Sequence, residues 1–421
     1  MIAVIIVHTS DFLTDIDSIN YFQINHVHYS LIKRYKLKKI CDISKYLLHK
    51  IKPMPTRIFY DYVSIEYLSC IPQSVNEILF TATFNSCITK LPKSITKLHP
   101  GYNFNQPVDQ LSKSITHLTL GCNFNYSVDQ LPDSLIQLVI NGLFNKSVDK
   151  LPNSLISLQL LGQFNQYVDE LPKFLVRLEL SGVFNRSVDQ LPKSLIKLTL
   201  GDNFNLPINQ LPEALTHLTL GNRFNLYIDQ LPKSLITLII GDQFNHTVNR
   251  LPNSLISLSI GNNFDQPVDR LPKSLTHLIL GDSFDVTVDL LPDSLLHLEL
   301  GDNFNQPIDS LPNSLIHLEL GYFFNSSIDK LPDSLSVLKL GSNFDRYVDN
   351  LPRSLTQLTF GNHFNCPVNN LPQSLVTLSL NGNNFDQWIS NLPKSLVHLY
   401  LKWTYDKSII HLPNTFRIHR I

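Results

Sequence analysis

The chain has 421 residues, of which 43% are hydrophobic and 16% charged, and its formal net charge is −1. This near-neutral balance leaves no whole-molecule electrostatic footprint for nucleic acid or an anionic membrane, and no run approaches the ~20 apolar residues that span a bilayer. We therefore predict neither a nucleic-acid partner nor a membrane association. The cysteines are scattered and odd in number, which argues against a disulfide framework and favours a reducing, cytoplasmic (intracellular) location.

The first seventy residues predict a small helical domain, residues 1–70. Residues 1–7 are apolar but lack a basic segment, so they are interpreted as folded structure rather than as a secretory signal. Between residues 14 and 51, apolar side chains keep a three-to-four spacing, and Thr14 or Asp15 can cap the first turn. Two or three short helices are expected there.

Residues 10–35 resemble the later part of the F-box. Phe12 and Leu13 precede an Asp-led helical pattern, and Tyr29, Leu31 and Ile32 lie on the next one, whereas the N-terminal Leu-Pro of the F-box is missing. The resemblance implies binding to a Skp1-type adaptor through apolar residues of both segments: Phe12, Leu13, Ile16, Ile19, Phe22, Leu31 and Ile32. The alternative, which rests on the residues alone, is that these helices only cover the open apolar end of the repeats that follow.

From residue 71 onward a 20-residue period governs the sequence. A leucine recurs at every twentieth position from Leu91 to Leu371, nearly always followed by proline, and one inserted residue near Asn383 shifts the last marks. A strict period of this length is typical of a solenoid, in which each turn buries its apolar face against its neighbours. We predict one repeat domain over residues 71–410 and a C-terminal cap over residues 411–421.

Each 20-residue unit predicts one short strand and an extended return. In the unit that begins at Leu191, Leu198 and Leu200 alternate inward along the strand, and Gly201 follows where a Cβ would obstruct the turn. A phenylalanine such as Phe204 recurs in every unit and predicts a stacked aromatic core. The proline of each Leu-Pro pair excludes a helix from the return limb. The predicted fold class is therefore a mainly β solenoid with an extended convex side, plus the small N-terminal helical domain.

Two motifs in these units are similar to those of known repeat families. A 20-residue unit that begins with Leu-Pro resembles the shortest class of leucine-rich repeat, and Phe204-Asn205-Leu206-Pro207-Ile208 resembles the FNIP repeat of amoebal and giant-virus proteins. The resemblance implies a non-catalytic protein–protein interaction module that acts inside a cell, which can be a host cell. Together with the F-box resemblance, it implies a substrate receptor of a cullin-type (SCF) ubiquitin ligase. The alternative is a scaffold or signalling interaction protein in which the N-terminal helices only cap the solenoid.

Two polar columns accompany the predicted core. The residue after each phenylalanine is Asn or Asp, which predicts a ladder of acceptor oxygens that bond the backbone of the next turn. An aspartate such as Asp309 recurs two residues before Leu-Pro and is expected to cap the local turn.

No residue pattern typical of an enzyme is present, so we predict no catalytic residues and no cofactor. His277, His297 and His317 fall on successive turns beside Glu299 and Glu319. A transition metal can use this spacing, but stacked strands give imidazoles no preset convergence, and we predict no metal site. A protein target is instead predicted to contact outward strand positions where the repeats differ. These positions are Arg177, Glu179, Lys197, His217, His277, His297, Glu299, His317, Glu319 and Lys339.

Overall fold

The computed structural model describes residues 5–8, 57–60, 73–89, 91–380, 382–407 and 416–420. They belong to two compact units, Met1–Gly201 and Asp202–Ile421. The helices predicted between residues 14 and 51, and with them the predicted adaptor-binding residues, lie outside the described residues.

The first unit is built on a ladder of short strands. The described strands are β1 (Ile5–His8), β2 (Arg57–Tyr60), β3 (Glu77–Phe80), β4 (Lys97–His99), β5 (His117–Leu120), β6 (Gln137–Ile140), β7 (Ser157–Leu160), β8 (Arg177–Leu180) and β9 (Lys197–Leu200). Strand β1 pairs antiparallel with β2, and β2 to β9 then pair in parallel, each with the next. Arg57 lies opposite Glu77, so strand pairing at the 20-residue spacing extends N-terminal to residue 71.

The second unit is an all-parallel ladder in its described residues. Its strands are β10 (His217–Leu220), β11 (Thr237–Ile240), β12 (Ser257–Ile260), β13 (His277–Leu280), β14 (His297–Leu300), β15 (His317–Leu320), β16 (Val337–Lys339), β17 (Gln357–Thr359), β18 (Thr377–Leu380), β19 (His398–Leu401) and β20 (Arg417–Arg420). Thr377 lies opposite His398, a longer step that accommodates the residue inserted near Asn383. Strand β20 lies within the predicted C-terminal cap and adds a further parallel strand beside β19.

Strand residues alternate between core and solvent, as the leucine spacing predicted. In β14, Leu298 and Leu300 are buried, whereas His297 and Glu299 are partly exposed. Fully burying one such leucine stabilises the fold by roughly 1.5–3 kcal/mol, and each turn repeats that burial. The predicted class, a parallel β solenoid with one strand per 20-residue turn, is confirmed within each unit.

The phenylalanines form a second column of buried side chains in the core, beside the leucines of the strands. In the second unit, the ring centroids of Phe244, Phe264, Phe284 and Phe304 are 6.0–6.1 Å apart, and the rings are nearly parallel. Neighbouring strands are only ~4.8 Å apart, so the turns fan apart towards the phenylalanines. Within the unit, the outer surface of the strands therefore lies on the concave side.

The asparagine ladder has the predicted bonding pattern. Asn245 Oδ1 accepts a hydrogen bond from the backbone N–H of Asp265 at 3.1 Å, and Asp265 Oδ1 accepts one from the N–H of Asp285 at 3.2 Å. Asn and Asp therefore serve the same purpose, because both present an acceptor oxygen to the next turn.

We expect Asn245→Ala to lower the free energy of unfolding by about 1 kcal/mol, because the N–H of Asp265 and the Nε2 of Gln266 both lose their acceptor. Asn245→Asp keeps an acceptor oxygen and is the matched control, for which we expect a change of less than about half that size. Urea unfolding of both variants measures the difference. Equal losses in the two variants would contradict an acceptor ladder.

A serine ladder, which the sequence analysis did not identify, runs alongside. Ser294 Oγ donates to the carbonyl oxygen of Leu275 at 2.6 Å, and Ser314 Oγ donates to that of Leu295 at 2.6 Å. The serine of Leu-Pro-x-Ser-Leu therefore ties each turn to the one before it.

The aspartate column behaves differently from the expected local cap. Asp309 Oδ2 accepts from Lys330 Nζ at 3.0 Å, and Asp349 Oδ1 accepts from Asn370 Nδ2 at 2.9 Å. Among the residues that the structure describes, no backbone N–H group donates a hydrogen bond to these carboxylates. The prediction of a local cap is therefore wrong. The basic or amide side chain that precedes the next Leu-Pro offsets the repulsion between stacked carboxylates instead.

Candidate protein-binding face

The outward residues of the strands form one continuous face in each unit. We use the term strand face for the first and third residues of each strand from β3 to β20 together with the residue that precedes the strand. Because partners pair in register, equivalent side chains stand in columns ~4.8 Å apart along the ladder.

In the first unit, the structure brings the predicted contact residues Arg177, Glu179 and Lys197 together. Arg177 and Lys197 are exposed and lie opposite each other on β8 and β9. Glu179 Oε2 accepts a hydrogen bond from Gln159 Nε2 at 2.7 Å, which restrains the carboxylate. Arg177 and Lys197 therefore form a small basic patch beside the restrained carboxylate of Glu179.

In the second unit, three of the predicted histidines stand side by side. The rings of His277 and His297 stack with centroids 5.6 Å apart, and those of His297 and His317 stack at 4.2 Å. His217 lies on β10, separated from them by β11 and β12, and its Nδ1 is 2.8 Å from Thr216 Oγ1. The structure therefore separates His217 from the other three.

The carboxylates beside these histidines have close imidazole and ammonium neighbours. His297 Nε2 is 2.7 Å from Glu299 Oε1, and Lys339 Nζ is 2.7 Å from Glu319 Oε2. His317 Nε2 is 3.9 Å from Glu319 Oε2. We call His277, His297, His317, Glu299, Glu319 and Lys339 the His–Glu cluster.

Burial disfavours the charged form of one member of the cluster. Burial lowers the pKa of His317, and the neighbouring His297 and Lys339 lower it further, against the opposing effect of Glu319 and Glu299. The imidazole of His317 therefore remains neutral to a lower pH than an exposed histidine does.

Comparison with known proteins places these repeats in a family. The family model described as FNIP Repeat matches residues 104–142, 203–243, 244–283, 285–323, 324–363, 347–383 and 365–404. The crystal structure of CroV588, a circular leucine-rich-repeat protein, is similar with a TM-score of 0.66 and 35% identity over 84% of this chain and 67% of that one. The chain belongs to the FNIP-repeat family.

A second solved structure shares the fold. The TLR13–ssRNA13 complex matches with a TM-score of 0.50 and 16% identity, over 86% of this chain and 69% of that one. At that identity the likeness concerns the leucine-rich-repeat fold alone. No curated protein matches the sequence.

The FNIP repeats also expose an aliphatic column that sequence reasoning missed. The residue that precedes the strand is an exposed aliphatic in many turns of the second unit, and two third-strand positions add to it: Ile236, Ile256, Leu296, Ile316, Ile239 and Ile279, each 36–45% exposed. The available signal was the residue after the inward leucine of Leu-Pro-x-Ser-Leu, which is aliphatic in these turns although it stands next to the first, outward residue of the strand.

Two further features of the described residues bear on function. No helix among them is both long and apolar enough to cross a membrane. One donor atom from each of His297, Glu299 and His317 lies within 4.8 Å of the others, a convergence that was not expected from the spacing of the strands.

Proposed function

We propose that this FNIP-repeat protein is a non-catalytic binding module that holds a protein partner on the strand face of its second unit. One observation carries the proposal: an exposed aliphatic column runs beside the His–Glu cluster on the strand face. Burial of water-exposed aliphatic side chains under a partner lowers the free energy and so favours binding. Partly exposed imidazoles and carboxylates beside them supply the polar contacts that set specificity.

Differences between otherwise equivalent turns support the same face. Column positions on β13 to β16 change from His277 and Ile279 to Val337 and Lys339, while the inward leucines do not change. A partner can therefore be distinguished by the outward residues without disturbing the core. The absence of a nucleic-acid partner and of enzymatic activity stay predictions.

Affinity purification from cells tests this proposal. The double variant Leu296→Ser, Ile316→Ser removes two exposed aliphatic side chains from the strand face. Leu290→Ser with Tyr347→Ser is the matched control, because both residues are more exposed still but lie outside the strands. We expect a partner captured by the intact chain to bind the strand-face variant at least tenfold more weakly and the control with unchanged affinity, measured with the purified partner. Equal affinities for all three proteins would exclude this face.

We further propose that the chain is the substrate receptor of a cullin-type ubiquitin ligase, acting inside a cell. The support is the resemblance of residues 10–35 to the F-box, which lies outside the described residues. A Skp1-type adaptor would dock there while the strand face selects the target. A scaffold whose first residues only cap the repeats is the alternative.

A pull-down with a purified Skp1-type adaptor separates receptor from scaffold. The intact chain is expected to capture the adaptor, and Leu31→Asp with Ile32→Asp is expected to abolish capture while the thermal melt of the repeats is unchanged. If the intact chain does not capture the adaptor, the receptor proposal is excluded and the scaffold function remains.

A further inference from the structure

Two imidazoles and one carboxylate converge on the strand face of the second unit. The donor atoms of His297, Glu299 and His317 all lie within 4.8 Å of one another. We propose that these three residues bind a zinc ion.

The backbone fixes the three side chains in place. His297 and Glu299 are two residues apart on β14, so they project from the same side of the strand. His317 lies directly opposite His297 on β15. Two strands paired in register thus supply all three ligands, and no loop has to close to assemble them.

The hydrogen bonding of the cluster leaves a place for an ion. His297 Nε2 and Glu299 Oε1 form a hydrogen bond at 2.7 Å, which an ion bound to both atoms would replace. His317 Nε2 is buried and has no hydrogen-bond partner, and its contact with Glu319 Oε2 is long, at 3.9 Å. An unpartnered buried nitrogen is unfavourable, and coordination to a metal would satisfy it.

One cationic side chain lies near the three proposed ligands. The nearest cation, Lys339, is paired with Glu319 at 2.7 Å, which offsets its repulsion of an incoming ion.

The donor set and its size match zinc. Two imidazole nitrogens and one carboxylate oxygen form a ligand set that zinc accepts, at Zn–N and Zn–O distances of ~2.0–2.2 Å. Three atoms separated by at most 4.8 Å enclose a point no farther than about 2.8 Å from each (4.8 Å/√3), so small side-chain rotations reach those distances. The fourth position of a tetrahedral ion would remain open to solvent.

Titration of zinc into the full chain, freed of metal by a chelator, tests the site. We expect one zinc ion per chain at this site by competition with a chromophoric chelator, and cobalt(II) in its place should give the visible absorption of a tetrahedral ion. His317→Gln and Glu299→Gln are each expected to weaken zinc binding at least tenfold. His217→Gln is the matched control, since it removes a histidine from the same column at a distance from the site, and its affinity should equal that of the intact chain.

Absence of zinc binding by the intact chain would overturn the proposal. Unchanged affinity for zinc in both ligand variants would also overturn it, as would an equal loss of affinity in His217→Gln. Circular dichroism verifies that each variant folds, and if His317→Gln does not fold, the result for Glu299→Gln decides.

The pair His398 and His419, whose ring nitrogens are 3.1 Å apart, is a second place where zinc could bind. His398→Gln should therefore leave the affinity of the proposed site unchanged, and loss of binding in that variant would relocate the metal and overturn the assignment.

Discussion

Phe264→Ala is expected to destabilise the second unit by about 3–5 kcal/mol. The ring of Phe264 is fully buried and lies between those of Phe244 and Phe284, with centroid distances of 6.1 and 6.0 Å. Its removal leaves a cavity that the two neighbouring rings cannot fill, because each is held by the next ring in the column. A solenoid turn is stabilised by its neighbours, so the loss should also weaken the turns on both sides.

Phe323→Ala is the control for this prediction. Phe323 is 50% exposed and precedes the buried ring of Phe324, so its truncation should change the free energy of unfolding by less than about 1 kcal/mol. Thermal and urea unfolding of both variants provide the comparison. Equal destabilisation by the two substitutions would mean that the aromatic column is not the core.

Gly182→Ala is expected to destabilise the first unit by more than about 2 kcal/mol. Three successive turns carry Asn141, Leu161 and Ser181 at the usual glycine position and place the glycine one residue later. Gly182 has φ of +68°, a conformation that L-residues rarely adopt. An added Cβ would lie 1.9 Å from the carbonyl oxygen of Gly162, a backbone atom that cannot rotate away.

Ser181→Ala is the neighbouring control. Ser181 makes one hydrogen bond from its side chain, to Glu179 Oε1 at 3.3 Å, and its removal should shift stability by at most about 1 kcal/mol. Urea midpoints of the two variants test the prediction. A Gly182→Ala variant as stable as the parent would show that the turn backbone is not constrained in this way.

The 20-residue period was enough to predict the parts of the fold that depend on backbone position. Leu298 and Leu300 point inward because a strand alternates, and Phe264 stacks because one ring recurs in each turn. The acceptor role of Asn245 followed from the exchange of Asn for Asp in one column. Each of these features repeats, so one turn determines the others.

Features that depend on side-chain direction could not be predicted in this way. The partner of Ser294 is a carbonyl of the preceding turn, which can be identified only once the path of that turn is known. Ile316 is aliphatic like a core residue but is 45% exposed; it lies between the turn at residues 313–314 and the strand, so strand alternation does not set its direction. The approach of His317 to His297 and Glu299 depends on side-chain torsions, which strand spacing does not fix.

Disulfide crosslinking in the second unit tests most directly the central claim that successive turns lie in register. In a background without the five native cysteines, Thr237→Cys with Ser257→Cys places two thiols on directly opposed residues, ~4.8 Å apart at the Cα atoms. Thr237→Cys with Ser259→Cys places them two residues out of register, at roughly 8 Å, beyond the reach of a disulfide. The in-register pair should oxidise readily and the diagonal pair should not; equal oxidation of the two pairs, or faster oxidation of the diagonal one, would contradict the stacked 20-residue turn.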